Sequence, residues 1–555
     1  MAVSAGADGA VKIGFLTDSG ASGAFELSHR QVLTVFSGLL LGVFLSAVDA
    51  TIVTTALPTI AGELGGLDQL TWVLTAYLLT STAFTPLGGK LSDLYGRRVV
   101  FEGAIALFLL TSVIAGLAQS MPQLVVARAL QGVGGGALQS IAFIIVGDIL
   151  SPRERGRYMG YFTATFAVAS LAGPLLGGFF VDNLSWRWIF FVNLPLGIVA
   201  LFLVHRVLQL PFPRRDHAVD YVGAVLLVIS VTAVLLVAEL GGKDLAWSSP
   251  GLLALAALGV GLAVVFLLWE RRVAEPIIPL RIFSNRVVAN IMVVSVLAGA
   301  SMMGANAFLP LFLQVVTNAS ATNSGLLLAP MMAGLTTMSI VGGRLVSKTG
   351  RYKPLMIGGS LVMTAAMSML LLLDASTQRW QVVPIMVIMG AGAGSMWPVM
   401  SVALQNALEV RDLGAGTASY TFMRMLGQTL GVALYGAMLT AGLRASLRGS
   451  LSTGNIAGAA DLDVESLLGS PNQIRALEPA LRNAVVEAVA AGVHRVFLAA
   501  VPLAVLMVIG VLVTKEIPLR TRSGMAERQQ EMGGEGTGPA ARAAGASTAS
   551  QPTTG

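Results

Sequence analysis

The sequence contains no cysteine, which excludes disulfides, thiolate metal sites and cysteine nucleophiles. Its four histidines lie in separate loops and form no imidazole cluster that would hold a metal. Charge is scarce as well: 12% of the residues are Asp, Glu, Lys or Arg, about half of the roughly 25% in a soluble domain. No G-x-x-x-x-G-K-[ST] phosphate loop occurs, so energy is expected from an ion gradient rather than from ATP. No acid lies deep in the late apolar runs. The 555 residues are instead 55% hydrophobic, the composition of a polytopic membrane protein. The net charge of +6 is scattered over short loops. It reads as membrane topology, and no nucleic-acid partner and no cofactor are expected.

A span needs roughly 20 apolar residues. Fourteen runs approach that length: 32–54, 70–87, 99–117, 124–146, 158–180, 188–204, 222–238, 251–269, 287–316, 324–341, 354–373, 382–407, 413–441 and 496–513. Thirteen runs follow the first, so it reads as a retained helix rather than a leader. An even number puts both termini on one side of the lipid bilayer. Alternate loops carry the basic residues, among them Lys90, Arg97, Arg98, Arg153, Arg155 and Arg157, whereas the opposite loops hold little beyond Arg187, Lys243 and Arg379. The basic loops and both termini are therefore expected in the cytoplasm, with the chain in the cytoplasmic membrane. Residues 1–30 and 515–555 are rich in Gly, Ala, Ser and Thr and read as disordered. Residues 442–494 read as a long external loop, in which the spacing of Leu481, Val485 and Val489 predicts a short helix lying at the membrane interface.

Residues 89–98, G-K-L-S-D-L-Y-G-R-R, sit between the second and third runs and read as a short charged loop. The stretch G-R-L-V-S-K-T-G-R at 343–351 repeats its Gly-to-Gly step at the end of the tenth run, with Ser347 in place of Asp93. Paired halves of this kind are typical of secondary transporters. They divide the chain into six-helix bundles at 31–208 and 287–514 around two inserted helices and linkers at 209–286. The 89–98 pattern resembles the loop signature between helices 2 and 3 of the major facilitator superfamily. Three further stretches narrow the resemblance: V-D-A-T-I-V-T-T-A-L-P at 48–58, R-A-L-Q-G-V-G-G-G at 128–136 and G-P-L-L-G-G at 173–178. With S-W-R-W-I-F-F-V-N-L-P at 185–195, they look like the fourteen-helix drug/proton antiporters of the EmrB/QacA type.

That resemblance implies an all-α membrane protein that works as a monomer and exports small amphipathic organic substrates, drugs or secondary metabolites, in exchange for protons. Export of a lipid or siderophore, or a sensor that binds without transport, are the alternatives. It assigns proton coupling to Asp49 and Arg128, gating to Gly89, Asp93, Gly96, Arg97, Arg98 and Asp148, and antiport to Gly173, Pro174, Gly177 and Gly178. The residues carry physical readings of their own. A charge inside a span costs about 2.5–3.5 kcal/mol and needs a partner or a wet cavity. The charges so placed are Asp49, Glu102, Arg128, Asp148 and Arg424, of which Glu102 lies near enough to a helix end to reach water. By the rise of 1.5 Å per residue, Asp49 and Arg128 lie at similar depths, roughly 13 and 9 Å below the outer ends of their helices. Arg128 is expected to hold Asp49 ionised, and substrate entry to disturb the pair. Gly173 and Pro174 suggest a dry, flexible seam between the halves. Arg424 and Gln428 share a helix face at i and i+4, and with Gln131 they are candidate cavity residues.

Overall fold

The computed structural model describes residues 29–65, 69–208, 220–242, 245–317, 328–452, 474 and 479–521. The chain is all-helical: α1 His29–Leu64, α2 Leu70–Tyr95, α3 Arg97–Gly116, α4 Met121–Ile149, α5 Pro152–Asn183, α6 Trp188–Phe191, α7 Asn193–Val207, α8 Tyr221–Leu240, α9 Pro250–Glu270, α10 Arg286–Val315, α11 Ala329–Thr349, α12 Lys353–Met369, α13 Arg379–Ala407, α14 Leu413–Ser452 and α15 Pro479–Val513. Twelve segments among the described residues are long and apolar enough to cross a membrane, with α6 and α7 forming one of them. Helices α2 and α11, with 26 and 21 residues, are long enough but more polar, and they are not among the twelve.

Local chemistry sets the helix ends. The Ser151 hydroxyl donates to Glu154 at 2.7 Å and Pro152 follows, so a capping box opens α5. Asp220 accepts from the Gly223 amide at 2.8 Å to open α8. Only one residue separates α2 from α3: Gly96, at φ +95°, a conformation that favours glycine. The expected charged loop at 89–98 is therefore mostly helix. Lys90 to Tyr95 continue α2 beyond the apolar run, where Gly89 packs against Ala418 of the other half and Ser92 is buried beside Arg97.

Helices α1 to α7 pack on one another, with α4 against α2 and α3 and α1 against α5 and α7. The second half does the same, with α13 against α11 and α12 and α10 against α14 and α15. The halves meet along α5–α11 and α2–α14. Helix α8 rests on α2 and α14, and α9 on α8. A small apolar core joins them through Leu79, Leu87, Leu227, Val231, Phe266 and Phe422. Lys90 of α2 pairs with Glu275, just past α9, at 2.6 Å.

Where it is described, the stretch expected as an external loop at 442–494 is helical. Helix α14 runs to Ser452 and α15 starts at Pro479, and residues 453–473 lie outside the described residues. Val485 and Val489 do not mark an interfacial helix. They are buried in the core of the second half, and Arg482, Asn483 and Glu487 occupy the exposed face of the same helix. At 40 and 35 residues, α14 and α15 are about 60 and 52 Å long, well beyond the ~30 Å hydrocarbon layer. They stay paired where Gly442 faces Gly492.

The tail expected as disorder from residue 515 begins as packed chain. Glu516 accepts from the Tyr352 amide at 3.0 Å, and Asn406 donates to the Pro518 carbonyl at 3.1 Å. Residues 1–28 and 522–555 lie outside the described residues.

Candidate functional site

Asp49 and Arg128 form an ion pair in which both side chains are fully buried. Two amides complete the carboxylate's shell: Gln131 donates to Oδ1 at 3.0 Å and Asn193 to the same oxygen at 2.8 Å. Arg128 also donates to Gln131 Oε1 at 2.7 Å and to the Val73 carbonyl at 3.3 Å, and its guanidinium lies 4.3 Å from the centre of the Tyr77 ring. Glycines let α2 come this close to α4, since a Cβ on Gly132, Gly135 or Gly136 would overlap Thr80, the Tyr77 hydroxyl or the Ser81 carbonyl. Gln131, expected at a cavity, is fully buried and belongs to this cluster. Asn193 is the residue that sequence reasoning missed. It lies in the quoted 185–195 stretch, and its uncharged amide gave no signal of its own. The rest of that stretch braces the outer end of α1, where Trp186 donates to Glu63 and Arg187 pairs with Glu63 at 3.1 Å.

The second cluster closes one end of the molecule, the end where the basic residues gather. Arg97 pairs with Asp93 and, at 2.9 Å, with Asp148, and it donates to Ser92 at 2.9 Å. Asp93 faces the first turn of α14 in the other half, where a Cβ on Gly414 would overlap its carboxylate. A helix N-terminus favours an acid there. Gly89 meets α14 in the same way, at Ala418. Arg98 points elsewhere. It pairs with Glu102 at 2.7 Å, so Glu102 is neutralised by a partner as well as reached by water. On the α5 side, a Cβ on Gly156 would lie 2.7 Å from the Gly343 carbonyl. Arg155 donates to Gln405 across the halves at 2.9 Å, and Arg153 to the Ser347 carbonyl at 3.0 Å.

Asp93→Asn keeps the hydrogen-bonding shape but removes the charge facing the α14 terminus. Its transport rate is expected to fall roughly tenfold, about 1.4 kcal/mol, at unchanged membrane abundance. Unchanged transport in reconstituted vesicles would count against the gating role expected of Asp93.

The glycine motif of α5 seals a different surface from the one expected. Gly173 and Gly177 pack on Thr51, Ile52 and Thr55 of α1, within one half, whereas a Cβ on Gly178 would meet nothing within 4 Å. The motif thus stiffens the α1 wall two residues from Asp49, and the seam between the halves uses Gly156 and Gly160 against α11. Arg424 and Gln428 lie on α14, and the Arg424 guanidinium is 5.6 Å from the centre of the Trp397 ring. Among the described residues no group of three or more His, Asp or Glu is placed to hold a metal.

The family model described as Major Facilitator Superfamily matches residues 39–432. The chain is 40% identical over 417 residues to the multidrug transporter protein MdtP of Bacillus subtilis, covering 75% of this chain and 76% of that one. It is 34% identical to multidrug resistance protein 3 of the same organism, covering 90% and 98%. The solved structure of the proton:xylose symporter XylE superposes with a TM-score of 0.58 at 15% identity, covering 91% of this chain and all of that one, a likeness of fold. With a matched model over most of its length and paired bundles that meet along α5–α11 and α2–α14, this chain belongs to the major facilitator superfamily of membrane transporters.

Proposed function

We propose that the protein exports amphipathic drugs or secondary metabolites from the cytoplasm in exchange for protons, working as a monomer in the cytoplasmic membrane. The observation that carries this reading is the fully buried Asp49, held by one arginine and two amides. Those donors come from α4 and α7, so any movement of α1 against them remakes the carboxylate's shell, and proton exchange at Asp49 couples to that movement. The basic end faces the cytoplasm, and α2 and α11 cross the membrane with the other twelve segments. The closed Arg97 and Arg155 clusters make this the outward-facing arrangement. Relatives named as multidrug transporters support the substrate class.

The driving force is adequate. One pH unit supplies about 1.4 kcal/mol per proton, and 100 mV about 2.3 kcal/mol per charge. In inverted vesicles, an acid interior should drive accumulation of a fluorescent amphipathic dye, and dye entry should dissipate the pH gradient. Dye accumulation that persists after the gradient is collapsed would overturn proton coupling. Binding without flux would identify a sensor.

A further inference from the structure

Among the described residues every deeply placed cation but one has a counter-charge or a carbonyl partner: Arg97 has Asp93 and Asp148, Arg128 has Asp49, and Arg155 has the Leu150 carbonyl and Gln405. Arg424 is the exception. It lies eleven residues into α14, about 16 Å above the helix start at the basic end. It makes no ion pair or hydrogen bond to any described residue, and its one recorded contact is the face of Trp397. None of α10 to α14 contains an Asp or Glu. The indole nitrogen of Trp397 is buried and also without a partner. The Tyr420 hydroxyl donates to the Trp397 carbonyl at 3.5 Å, which leaves its oxygen free to accept but adds no anion. Two donors, one of them charged, thus share a site without an acceptor.

The site lies on the path between the halves. Thr417, Thr421, Arg424 and Gln428 follow one helical face. Thr417 accepts from Gln405, the residue bonded to Arg155 of the opposite half, so this face borders the seam. Thr417 and Thr421 are buried, whereas Arg424 and Gln428 are half-exposed. Along this face burial therefore gives way about 10 Å beyond Thr417, at Arg424.

We infer that Arg424, with the indole N–H of Trp397, recognises a single anionic group, a carboxylate, on an aromatic amphipathic substrate. This rests on the reading of the chain as an exporter of organic compounds and names the substrate class. A guanidinium binds a carboxylate through charge-assisted hydrogen bonds that a neutral isostere cannot form. The Trp397 ring supplies an apolar surface beside it, and Gln428 a neutral polar one.

The test uses the full chain in lipid nanodiscs and two probes, 2-naphthylacetate and its neutral N-methylamide, measured by equilibrium dialysis with empty nanodiscs subtracted. The wild-type protein should bind the carboxylate about tenfold more tightly than the amide, a difference of 1.4 kcal/mol. Arg424→Gln should equalise the two while leaving amide binding in place, and Arg424→Lys should restore part of the preference. Trp397→Phe, which keeps the ring and deletes the N–H, should narrow the gap severalfold and serves if Arg424→Gln does not reach the membrane. Equal wild-type affinities, absence of binding by both probes, or a preference that survives Arg424→Gln or is unmoved in Trp397→Phe would overturn the assignment. Binding is read without a gradient, so loss of proton-driven flux with the preference intact would count against proton coupling and not against this site.

Discussion

Asp49→Asn should abolish export driven by a pH gradient, by a hundredfold or more, while neutral substrates still bind. The substitution keeps the side chain's shape and its acceptor oxygen, so Gln131 and Asn193 retain a partner. What it removes is the exchangeable proton, and with it the link between helix position and protonation. It also strands a buried cation. Breaking a buried pair from one side costs about 3–5 kcal/mol, and Arg128 offsets part of this through Gln131, the Val73 carbonyl and the Tyr77 ring. The variant should therefore reach the membrane with a lowered melting temperature and show equilibrative substrate movement only. Measuring dye accumulation and proton flux together in proteoliposomes decides the matter. Uphill export by Asp49→Asn driven by protons alone would remove Asp49 from the coupling mechanism.

A comparable loss is expected from Gly343→Val, at a position that holds no charge. A Cβ at Gly343 would overlap the Gly156 carbonyl, and that atom is backbone, so only separation of α5 from α11 makes room. Separation there also breaks the Arg155–Gln405 and Arg153–Ser347 bonds. The basic end should stay open, and turnover should fall by about a hundredfold, the effect of roughly 2.8 kcal/mol on the closed state. Spin labels on Arg157→Cys and Thr349→Cys, both at exposed positions, would report it. The chain has no cysteine of its own, so labelling needs no background removal. The inter-label distance should lengthen in Gly343→Val, and a distance equal to that of the parent protein with normal transport would contradict the tight contact.

These two predictions draw on different kinds of information. Asp49 and Arg128 were legible because an ionisable residue inside an apolar run is costly, and that cost shows in any reading of the chain. Asn193 was not, since an amide in a span is cheap and its partner is 144 residues away. Gly156 and Gly343 were hidden for a related reason: a small residue reveals its neighbour only when both helices are placed. The 89–98 stretch was misread because hydropathy ends at residue 87 while the helix continues. Burial against α14 supports that continuation, and the apolar run contains no trace of it. In α15 the error ran the other way. The spacing of Leu481, Val485 and Val489 suggested a separate interfacial helix, yet Val485 and Val489 lie on the core face of one long element whose exposed face carries Arg482, Asn483 and Glu487.

The polarity of α2 bears on how the protein is made. Its Thr, Ser and Gly residues make close helix contacts rather than apolar bulk, so α2 depends on its neighbours for packing. One arrives soon: Gly88 brings α2 against Ala137 of α4, where a Cβ would lie 2.9 Å from the Ala137 backbone. The other arrives late, because Gly414 and Ala418 of α14, which cover Asp93 and Gly89, are synthesised only after most of the chain has left the ribosome. Between those two moments the Gly89 and Asp93 face of α2 lacks the helix that covers it in the finished fold, so the α2–α14 contact between the halves forms late in synthesis.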